Sequence, residues 1–110
     1  MDDRELLELS AKAAGEDVEW HDVGSCFYRK SCNWPAEKGF FNPLHDDGEA
    51  LRLAAGLCLN VLSSEACVVV EDEKGVECIE YFYGPEDYTS GWRRAIVRAA
   101  ASIGEALCRT

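Results

Sequence analysis

The closing stretch SGWRRAIVRAAASIGEALC constrains the fold of this chain more than any other segment. Ile96, Val97, Ala100, Ile103 and Leu107 recur at helical spacing, which predicts one long helix from about Asp87 or Ser90 to about Cys108. Arg93, Arg94, Arg98 and Arg109 fall in other directions. Ala99, Ala100, Ala101 and Gly104 add so little bulk that a sheet or a second helix can approach closely. Packing an apolar face, more than propensity, stabilises such a helix, so the rest of the chain must supply that neighbour.

Two shorter helices are signalled upstream. In MDDRELLELSAKAAG, Asp2 with Glu5 reads as a capping box, Leu6, Leu7, Leu9 and Ala13 form an apolar stripe, and Gly15 is the stop. The second helix opens at Asp46, placed to accept from a backbone N–H near Glu49 while Glu49 reaches back. Both carboxylates also favour the positive end of the helix dipole. Leu51, Leu53 and Ala54 are the expected buried side, and Gly56 the expected end. Capping accounts for Asp46 and Asp47 better than a pair of catalytic carboxylates does.

The remaining segments read as strands and loops. VEWHDV and SCFYRK form two short strands with Gly24 and Ser25 at the turn, and CNWPAEKGFFNPLHDDG is a loop carrying Pro35, Gly39 and Pro43. LCLNVLSS is another strand; ACVVVED and VECIEYFYG form a hairpin over 66–83, with Gly75 at the turn position that needs positive φ. Helix, short strands, helix, three strands, helix is the order of an α+β layered α/β/α sandwich. Three main helices are expected around a small antiparallel or mixed sheet, in a single domain spanning 1–110.

Charge narrows the function classes. Twenty-one acidic residues against eleven basic give −10, which disfavours direct contact with nucleic-acid phosphates or an anionic membrane and permits a basic protein surface. The N-terminal segment lacks a basic n-region with a continuous apolar core, and no apolar run is long enough to span a bilayer, so a cytoplasmic location is expected. Cys26, Cys32, Cys58, Cys67, Cys78 and Cys108 are then expected to be reduced thiols rather than a disulfide framework.

Three stretches, DRELLELSAKAAG, FNPLHDDGEALRLA and RRAIVRAAASIGEAL, resemble recurring segments of the phage ABA-sandwich domain family and occur in the family's order. They cover under half of the chain. The middle one is the most specific, because N-P-L before D-D-G-E-A-L-R-L is a particular loop-to-helix junction. The resemblance implies helices around a β-layer and a phage or prophage protein working in the host cytoplasm, with no activity attached. Between about Ser63 and Ser90 the chain departs from the family pattern.

Candidate sites are few. Cys26, Cys32, His21 and His45 could form a Cys2His2 set, but the gap between the cysteines exceeds that of a zinc hairpin, so no metal or other cofactor is expected. No nucleophile elbow, phosphate-cradling loop or dinucleotide fingerprint is present. Trp34, Phe40 and Phe41, beside Tyr28, Arg29 and Lys30, make an aromatic and cationic loop of the residue types that dominate binding hot spots. Trp20 and Trp92 read as core or core-edge residues, and Arg93 and Arg94 as partners of Glu86 and Asp87. The expectation is a non-catalytic acidic module that binds a host or phage protein through Tyr28, Arg29, Trp34, Phe40 and Phe41. A self-associating assembly protein is the alternative, and a small metal or thiol enzyme the second.

Overall fold

The structure, a computed structural model, describes residues 1–32, 34 and 37–109; Pro35 of the expected loop lies outside the described residues. It is an α+β fold of three helices and two antiparallel three-stranded sheets: α1 (Asp3–Ala14), β1 (Val18–His21), β2 (Cys26–Arg29), β3 (Phe40–Phe41), α2 (Asp47–Gly56), β4 (Asn60–Ser63), β5 (Cys67–Glu71), β6 (Glu77–Tyr81) and α3 (Tyr88–Cys108). The strands divide between two sheets, ordered β1-β2-β3 and β4-β5-β6, each a simple meander. Phe40 and Phe41, read from the sequence as loop, pair with Tyr28 and Phe27 and close the first sheet.

The long helix has three neighbours. α1 and α2 both pack on α3, and β5 and β6 cover another part of it, so Ala95, Ile96, Val97, Ala99, Ala100, Ala101 and Gly104 are all buried. Gly104 shows how close α1 comes: a Cβ there would stand 2.0 Å from the Leu9 carbonyl oxygen. From α1, Leu6, Leu7 and Ala11 enter the core, while the buried Ser10 hydroxyl is satisfied by donating to Leu7 O at 2.9 Å. The second sheet turns Val68 and Val70 inward, both at 0% exposure, and Phe27, Phe41 and Leu44 complete the same cluster.

Local signals explain most element ends. Asp2 accepts from Glu5 N at 2.8 Å, Asp46 accepts from Glu49 N at 2.9 Å, and Gly15 and Gly75 take positive φ of 73° and 84°. Two readings of α2 need correction. Leu51 is 69% exposed, and the buried side is Ala50, Leu53 and Ala54, because α2 meets α3 through its alanines. Glu49 does not complete a capping box; its carboxylate is taken by Arg29. Gly56 is the last residue of the helix, as expected, and the left-handed residue beyond it is Cys58, φ 55°, with Leu59 N donating back to Ala54 O at 2.9 Å. On α3, Leu107 is half exposed, since it lines an open cleft between the last turn, the end of α2 and the β5–β6 turn.

Two substitutions should move stability in opposite directions. Gly104→Ala should cost about 2 kcal/mol by forcing α1 away from α3. Cys58→Gly should add about 1 kcal/mol by removing a side chain from the left-handed region. Urea denaturation midpoints check both, and an unchanged midpoint for Gly104→Ala would contradict the close contact.

Candidate interaction surface

The first sheet brings the sequence-predicted loop residues together, but not as an exposed set. Tyr28 and Phe41 are buried, Phe40 and Arg29 are partly buried, and Trp34 alone of the five is exposed, at 41%. Trp34 lies flat on His21, with centroids 4.4 Å apart, and meets Tyr28 and Phe40 edge-on. Gly39 permits this arrangement, because a Cβ at that position would fall 2.1 Å from the Tyr28 ring. The rings of His21, Tyr28, Trp34 and Phe40 thus pack against one another, stacked or edge-on.

Arg29 is a junction. Its guanidinium makes a bidentate pair with Glu49 of α2, both contacts at 3.0 Å, and bonds Glu16 after α1 at 3.0 Å. It also donates to Lys38 O at 3.0 Å and Phe40 O at 2.8 Å. Hydrogen bonds to Glu49 chiefly, with Glu16 adding, push its pKa up against the opposing effect of burial. The side chain thus ties β2, the α1–β1 connection, the turn before β3 and α2 into one unit. A planar fork suits this role in a way that an ammonium does not.

The other singled-out residues are dispersed. His45 is bonded to Asn42, and among the described residues no group of three His, Cys, Asp or Glu side chains is placed to hold a metal ion. Burial pushes the Cys26 and Cys78 thiols up, which works against a thiolate nucleophile at either position. For Cys78, Arg98 opposes that shift while Asp72 and Glu80 add to it. Arg93 and Arg94 pair with Asp47 and Asp3 rather than with Glu86 and Asp87, because their side chains reach across to α2 and α1. Asp87 instead accepts from Tyr83 N at 2.9 Å. Trp20 packs at the core edge under Arg4, and Trp92 is at the surface, donating to Ser63 Oγ at 3.0 Å.

Sequence reasoning missed the outer face of the second sheet. Register places Leu62 and Ile79 on either side of Val69, and Tyr81 beside Cys67, all pointing away from α3. Leu62 is 55%, Ile79 39% and Tyr81 69% exposed, and among the described residues no element packs over them. The opposite parity faces inward, where Glu80 meets Arg98 of α3. A usable signal was present in the sequence: Val61–Leu62 and Cys78–Ile79 are apolar at both parities, although only one face of such a sheet had a helix to cover it. The same segment is the most acidic of the chain. Residues 60–87 hold eight carboxylates against the single cation Lys74, a net of −7 out of −10.

No protein family, curated protein or solved structure matches the chain. Among the described residues no helix is long and apolar enough to cross a membrane.

Replacing the junction tests its weight. Arg29→Lys should lower stability by about 2 kcal/mol in urea titrations at neutral pH, since one ammonium cannot satisfy two carboxylates and two carbonyls. A loss below about 0.5 kcal/mol would show that Arg29 behaves as an ordinary surface ion pair.

Proposed function

We propose that this chain is a non-catalytic protein-binding module whose partner is a protein with a basic, apolar-centred surface. The observation that carries the reading is the uncovered Leu62–Val69–Ile79 row, with Tyr81 at its end, lying within the segment that holds −7 of the net charge. Apolar area of this kind supplies affinity when another surface covers it, and the acidic field accelerates encounter with a cationic one. Like charge opposes the burial of this face against a second copy of itself. Resemblance of three segments to the phage ABA-sandwich family supports a phage or prophage accessory role in the host cytoplasm, acting on a host or phage protein.

Partner capture with the full chain as bait tests this. Ile79→Lys and a Trp34→Ala, Phe40→Ala double variant serve as parallel baits, each compared at low and moderate salt. The expected result is one dominant partner with a basic surface, weakened by salt and lost with Ile79→Lys but retained by the double variant. Loss with the double variant alone would return the contact to the first sheet. Salt-independent capture, or recovery of the chain by itself, would contradict the reading.

A further inference from the structure

The two edges of the second sheet differ. Ser64 N donates to Cys67 O at 2.9 Å, which fixes the alternation of the antiparallel ladder and makes Asn60, Leu62 and Ser64 the residues bonded to β5. Val61 and Ser63 therefore direct their backbone N–H and C=O groups outward from β4. By the same alternation, anchored by Phe82 N on Ala66 O at 2.9 Å, Ile79 faces outward from β6. That edge is partly occupied, because Arg98 donates to Ile79 O at 3.0 Å. β4 has neither a lysine nor a proline to blunt it.

Beside the open edge lies a cleft of about 210 Å³ between α2 and α3. Ala50, Ala54 and Ile96 form its floor, and Leu51, Trp92 and Val61 its walls. Alanines at 50 and 54 leave the space, and the exposure of Leu51 follows from it. Pockets for whole small-molecule ligands generally run from roughly 300 to 1,000 Å³. This one is closer to the size of one large side chain. Val61 both lines the cleft and carries outward backbone groups, so a strand laid along β4 would point alternate side chains the same way as Val61, into the cleft.

We propose that β4 accepts an extended cationic peptide segment of the partner as a fourth strand, anchored by one large apolar side chain in the α2–α3 cleft. The inference rests on the protein-binding reading and names the form of its ligand. Main-chain bonds to Val61 and Ser63 supply register, the cleft supplies selectivity, and the −7 of residues 60–87 selects positive charge. A second copy would bring its own acidic segment to the same edge, which the charge opposes.

The probe is a short synthetic peptide alternating lysine with valine around one central tryptophan, titrated into the full-length chain and followed by amide and indole chemical shifts. Binding should shift Val61, Ser63 and the Trp92 indole, and should weaken at least about tenfold when the β4-facing peptide nitrogens are methylated. Val61→Pro should weaken it similarly while keeping the fold, since proline is tolerated where an edge N–H faces outward. The methylated peptide serves the same purpose without altering the protein. No binding of the unmethylated peptide, or binding indifferent to methylation, overturns the inference. Shifts confined to Leu62, Val69 and Ile79 would overturn it while leaving the protein-binding reading in place. A dimer of the chain alone that Val61→Pro dissociates would assign the edge to a second copy, and so also overturn it.

Discussion

The approach of α1 to α3 at Gly104 is the contact on which the rest of the fold depends. A helix with alanines and a glycine along its buried surface has little apolar area of its own to contribute. It gains stability by letting larger groups from its neighbours come close: Leu6 and Leu7 from α1, Leu53 from α2, Val68 and Val70 from β5. α3 is consequently the shared wall of the molecule. Arg29 joins the remaining pieces, because its fork ties the first sheet to α2 where Phe27 and Phe41 already share a core cluster with Leu53.

These commitments leave the second sheet covered on one side only. α1 is spent on α3, α2 is divided between α3 and Arg29, and α3 takes the inner face of β4–β6. Among the described residues no helix remains for the outer face. An antiparallel sheet tolerates this when its outer parity is polar. Here that parity is Leu62, Val69, Ile79 and Tyr81, with Glu71 and Glu77 at the far end. Acidic side chains keep such a surface hydrated and oppose its burial against a like-charged copy, and the proposed cationic partner is the complement of that field. Structure and charge therefore point to the same patch, although each arises from different residues.

Much of the architecture was legible from local chemistry. Asp2, Asp46, Gly15 and Gly75 act where caps and turns demand them, and the alanine-rich helix does require a close neighbour. What escaped was decided by distant partners. Glu49 had a sound local use in a capping box, but a bidentate guanidinium twenty residues away offers it more. Gly56 does end α2, but the left-handed position two residues on is taken by Cys58, which no local preference announces. The aromatic loop was conspicuous because it was aromatic, yet Tyr28 and Phe41 are consumed by burial. The outer sheet face was less conspicuous, since apolar residues at both parities look like ordinary core until the helices are counted against the faces they can cover.

The most direct test of this account is solvent relaxation on the methyl groups of Leu62, Val69 and Ile79 in the free protein at low concentration, measured with cationic and anionic paramagnetic probes. The account predicts strong relaxation of these methyls, weak relaxation of Val68 and Val70, and a marked excess from the cationic probe. Shielded outer methyls, or equal effects from the two probes, would mean that the face is covered or lacks its acidic field, and would contradict the account.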